Sequence, residues 1–148
     1  MKSLARSGVL FLATVAPWSH AAAPDPSLLG CWRATKIVLH TQDGSRTEDA
    51  SGRCTLRFGE DAYESVCATS RGTATSSYQY RIDRPGFYLA TMSGSTFRTS
   101  LVGSTREYEY HVDGNRLVTV TTNPKVAPPA APGAALRVET QAERTPCQ

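Results

Sequence analysis

The chain has 148 residues, 40% apolar and 20% charged, with 16 Lys plus Arg against 13 Asp plus Glu. That length supports one domain with a real core, and the composition excludes both a disordered tail protein and a multi-span membrane protein. The net charge of +3 overstates the working protein, because residues 1–23 read as a removable leader carrying Lys2, Arg6 and no acid; without it 14 bases face 13 acids. A field that weak gives no footing for nucleic acid or an anionic membrane surface as a partner.

The leader has a basic start, an apolar run Val9-Leu10-Phe11-Leu12-Ala13-Thr14-Val15-Ala16, and small residues Ser19, Ala21, Ala22 and Ala23. The run is about half of the roughly 20 residues a spanning helix needs, so it reads as a secretory signal. Cleavage after Ala21 or Ala23 leaves a single mature domain, residues 24–148, that is periplasmic or secreted. Leu28-Leu29-Gly30-Cys31 spells a lipoprotein box, but Pro24-Asp25-Pro26 separates it from the apolar run and argues against lipidation.

Beyond the leader no long segment carries a 3.6-residue apolar period; short alternating runs cut by turn residues predict an all-β domain. The expected strands are Leu28 to His40, Cys54 to Phe58, Tyr63 to Cys67, Ser76 to Ile82 and Phe87 to Met92. Phe97 to Val102, Glu107 to Val112, Arg116 to Thr122 and Leu136 to about Arg144 follow. Asp83-Arg84-Pro85-Gly86 and Asp113-Gly114-Asn115 supply tight turns. Thr41–Arg53 and Ser93–Thr96 read as exposed loops. Residues 123–135, with Pro124, Pro128, Pro129 and Pro132, read as an excursion outside the sheet. Eight or nine short strands imply a sandwich or a barrel.

One hairpin has a register that can be read directly. With Glu60 and Asp61 at its tip, Cys54 faces Cys67, Phe58 faces Tyr63, and Arg57 faces Glu64. A disulfide, an aromatic pair and an opposite-charge pair then follow from one alignment. An even number of cysteines behind a signal peptide implies disulfides. Elimination pairs Cys31 with Cys147, joining the first strand to the chain end and closing a barrel seam.

Gly30-Cys31-Trp32 on the first strand resembles the Gly-x-Trp opening of the lipocalins and their calycin relatives. The pattern Tyr108-x-Tyr110…Asp113-Gly114-Asn115-Arg116-Leu117 is similar to the final hairpin of small bacterial lipocalin-like domains. The resemblance spans about 115 residues and implies an up-and-down antiparallel barrel. It also implies that Trp32 closes one end beneath an arginine near the end of the last strand, the role open to Arg144. Where that family has a helix before the last strand, this chain has its Pro-rich excursion.

Catalytic signatures are absent: there is no Gly-x-Ser-x-Gly, HExxH, Walker or Rossmann pattern. The four cysteines are consumed by crosslinks, and His40 and His111 with no CxxC make no zinc site. The expectation is therefore a non-enzymatic protein without metal or cofactor. Tyr78 and Tyr80 share one strand face, Tyr108 and Tyr110 another, and Tyr88 lies between them. Interior tyrosines suit a pocket for a small apolar or amphipathic molecule, and the competing reading is that they only fill the core. The alternative function is a protein-binding module, an inhibitor or immunity factor for an envelope hydrolase. The arginines read as an outward, solvated set interspersed with acids.

Overall fold

The computed structural model describes residues 22–122 and 135–148. Residues 1–21, within the expected leader 1–23, and residues 123–134, within the expected excursion 123–135, lie outside them. Nine strands are described: β1 (Gly30–Thr41), β2 (Arg46–Asp49), β3 (Cys54–Phe58), β4 (Ala62–Thr69), β5 (Gly72–Arg84), β6 (Phe87–Ser95), β7 (Thr105–Asp113), β8 (Arg116–Thr122) and β9 (Ala135–Thr145). Each of β3 to β8 pairs antiparallel with the next, and β9 returns to pair with β1 from Cys31 to Thr41. Together β1 and β3–β9 form an eight-stranded, up-and-down barrel, with β2 as an extra strand.

The β3–β4 hairpin has the expected alignment, with Cys54 opposite Cys67, Arg57 opposite Glu64 and Phe58 opposite Tyr63. Cys54–Cys67 and Cys31–Cys147 are both bonded. The Phe58 and Tyr63 rings stack with centroids 4.7 Å apart, whereas Arg57 and Glu64 stand opposite without closing to an ion pair. Two disulfides of this kind belong to an oxidising, non-cytoplasmic compartment. No helix among the described residues is long and apolar enough to cross a membrane.

Two sequence expectations fail. Phe97–Val102 is not a strand: β6 ends at Ser95, and a short 3₁₀ turn covers Thr99–Leu101. Ser95 Oγ accepts the backbone N–H of Phe97 at 3.3 Å and of Arg98 at 2.9 Å, which turns the chain out of the sheet. Such side-chain capture of backbone donors competes with a ladder. The two expected loops are also partly strand. Arg46–Asp49 pairs with Ile37–His40 of β1, and Ser93–Ser95 belongs to β6. Four polar residues, Arg-Thr-Glu-Asp, carry no alternation, so the first of these strands was invisible.

β1 changes partner along its length. Gly30–Arg33 pairs with β3, whereas Ile37–His40 pairs with β2. Gly86 and Gly114 sit in the tight turns before β6 and β8 with φ of +77° and +57°, conformations that favour glycine.

One end of the barrel is filled. Trp32 is fully buried, and its Nε1–H donates to the Leu28 carbonyl at 2.9 Å. The Arg144 guanidinium lies 4.2 Å from the Trp32 ring centroid and donates to the carbonyls of Leu29 and Ser27 at 2.8 and 2.6 Å. One arginine thus covers the ring and ties down the incoming chain. This is the arrangement the Gly-x-Trp resemblance implies. Leu28, Ile82, Leu117 and Ala142 pack beside it.

Candidate functional site

Alternation along each strand sends one row of side chains inward. On β5 the row runs through Ser76, Tyr78, Tyr80 and Ile82; on β7 it runs through Arg106, Tyr108, Tyr110 and Val112. Cross-strand neighbours then stack. Tyr63 meets Tyr78 with centroids 4.4 Å apart, and Tyr88 meets Tyr108 at 4.9 Å, both pairs nearly parallel. Phe58 and Tyr80 both present edge contacts to Tyr88, at 6.0 and 5.6 Å. Such pairs add to the area they bury.

The five tyrosines expected to line a pocket divide into two sets. Tyr80 and Tyr110 lie in the filled end with their hydroxyls occupied. Tyr80 donates to the Gly59 carbonyl at 2.7 Å, and Tyr110 donates to Asp25 Oδ2 at 2.7 Å. Tyr78, Tyr88 and Tyr108 instead line an interior cavity of about 310 Å³ toward the other end. Phe58 and Tyr63 form its floor. Ile37, Leu39, Leu56, Met92 and Val138 form apolar wall, and Ser76, Thr119 and Thr121 add hydroxyls. Phe97, 54% exposed, stands at the mouth. Tyr63, Tyr88 and Tyr108 have phenols raised above their ordinary range, in each case first by burial. They remain neutral hydrogen-bonding groups at physiological pH.

Asp25 fastens the filled end. Burial works against its charge, but hydrogen bonds from Tyr110 and Ser27 together outweigh it and hold its pKa below 3.8. A carboxyl with a depressed folded-state pKa stabilises above its unfolded value and loses that contribution as pH falls. Tyr110→Phe should therefore cost about 1 kcal/mol near neutrality. The difference from the native chain should shrink below about pH 4, as urea midpoints at pH 7 and pH 3 will show.

The structure also holds residues the sequence reading missed. Arg106 belongs to the inward row, and Arg98 reaches the cavity from the loop after β6. The signal for Arg106 was present: it is two residues before Tyr108 and four before Tyr110, hence on the same face. His40 and His111 are on the outer face, away from the cavity. His40 Nε2 is 3.8 Å from a Glu139 carboxylate oxygen.

Two solved structures have the same architecture. A protein from Bacteroides uniformis, described as lipocalin-like, superposes with a TM-score of 0.52 at 8% identity, covering 80% of this chain and 99% of its own. The fold is lipocalin-like. An uncharacterised protein from Bacteroides eggerthii matches this lipocalin-like barrel with a TM-score of 0.50 at 9% identity, covering 78% of this chain and 98% of that one. No family model matches the sequence, and no curated protein matches it. At such identities the likeness concerns the fold alone.

Proposed function

We propose that the protein is a non-enzymatic, exported binding protein that holds a small apolar or amphipathic molecule inside the barrel. The observation that carries this reading is the division of the interior. One end is packed solid around Trp32, while the other keeps a cavity of about 310 Å³ walled by Tyr78, Tyr88 and Tyr108. That volume is at the lower end of the roughly 300–1,000 Å³ of small-molecule sites, and its mix of apolar wall and a few hydroxyls is typical of them. A purely structural barrel gains from filling its interior with side chains, and this one leaves the aromatic-lined half open. The leader supports the periplasm or the exterior as the place of action.

Native mass spectrometry of the protein taken from its own host tests the reading. A mass excess that disappears on denaturation, in a stoichiometry of one, is the expected result. Recovery of an empty chain bound to one stoichiometric envelope protein would overturn it in favour of the protein-binding alternative.

A further inference from the structure

The cavity wall is not electrically balanced. Arg106 stands opposite the buried Ala90 of β6, in the inward row of β7, and its side chain lines the cavity. Arg98 lines the same cavity from a loop fixed by the two Ser95 hydrogen bonds, its guanidinium 5.1 Å from the Phe97 ring centroid. Both guanidiniums act on the Tyr108 phenol, opposing the upward pull of its burial.

Neither arginine has a carboxylate within ion-pair distance among the described residues. The one acid in the lining, Asp49, is already engaged, accepting from the Ser51 N–H at 2.8 Å and from Arg53 at 3.2 Å. On the outer surface Arg84 by contrast meets both Asp83 and Glu107, at 3.0 and 2.9 Å. A guanidinium turned into a barrel without a counter-ion pays a desolvation penalty that an outward one avoids. Arg106 is half-buried in the inward row, so its charge faces the cavity with part of its hydration removed.

Resting on the binding reading above, we infer that the ligand is an amphipathic acid. Its carboxylate, sulfonate or phosphate group is held by Arg106 and Arg98, and its planar apolar body lies against Tyr78, Tyr88 and Tyr108. The guanidinium fork matches such oxyanions with paired N–H donors. The Tyr108 hydroxyl, neutral at physiological pH, offers a further donor. The apolar floor of Phe58 and Tyr63 gives the body of the ligand its share of buried area.

Two fluorescent probes with the same aromatic body separate charge from shape: 1-anilinonaphthalene-8-sulfonate and uncharged N-phenyl-1-naphthylamine. Titrated into the oxidised mature protein at low salt, the anionic probe should bind about tenfold tighter than the neutral one. Arg106→Gln and, in the exposed loop, Arg98→Gln should each reduce that ratio severalfold, with Arg106→Lys restoring part of it. Arg81→Gln, on the outer face beside Asp83, should leave the ratio as it is. Equal affinities for the two probes, or a ratio unmoved by both Arg106→Gln and Arg98→Gln, would overturn the acid and leave the binding site standing. If neither probe binds, the cavity is not a binding site and both readings fall together.

Discussion

Replacing Cys31 and Cys147 together by serine will lower the unfolding free energy by about 4–5 kcal/mol, against about 3 kcal/mol for the Cys54 and Cys67 pair. The two bridges close loops of very different length, with sequence separations of 116 and 13. In the chain-entropy account the restriction placed on the unfolded chain grows with the logarithm of that length. The longer bridge also fixes the C-terminal end of β9 beside the start of β1, where Cys31 pairs with Thr145 and Trp32 with Arg144. Urea unfolding of the two double variants, followed by far-ultraviolet circular dichroism, gives both numbers. Equal losses would show that native-state geometry, not unfolded-state entropy, decides what each bridge contributes.

Trp32→Ala should cost about 3–5 kcal/mol, the range for deleting a large buried aromatic. Three losses coincide there. The hole left under Arg144 has no neighbour free to fill it, since Leu28 and Leu117 are themselves fully packed. The Leu28 carbonyl loses the indole donor, and the Arg144 guanidinium loses the ring beneath it. Trp32→Phe keeps a ring and should cost distinctly less. Urea midpoints from circular dichroism will order the series, because Trp32 fluorescence cannot report on its own removal.

Much of the frame was legible in the residues. The β3–β4 register was readable because three independent pairings demanded one alignment, and the second bridge then followed by elimination. Faces were readable too, since alternation placed Tyr78 with Tyr80 and Tyr108 with Tyr110. Depth along the barrel was not. Two residues on one face are about 6.8 Å apart along a strand. That is enough to put Tyr78 on a cavity wall and Tyr80 under the Gly59 carbonyl, and only the closed barrel shows where filling stops. Arg106 was missed for a different reason. Composition treats every arginine as a surface residue, whereas the row it shares with Tyr108 turns it inward. The Phe97–Val102 strand failed because apolar alternation there competes with a serine that captures two backbone donors.

The shift of β1 from β3 to β2 leaves a rim of open backbone on the molecule. No strand among the described residues lies along the outer side of β2, so its amides and carbonyls could template a neighbouring chain. Arg46, Glu48 and Asp49 crowd that rim with charge, and Lys36 and Arg53 pair with two of them at 3.1 and 3.2 Å. Shortness and charge are the means by which natural sheets discourage such stacking. A short margin dense in charge thereby disfavours edge-to-edge pairing of one molecule with the next.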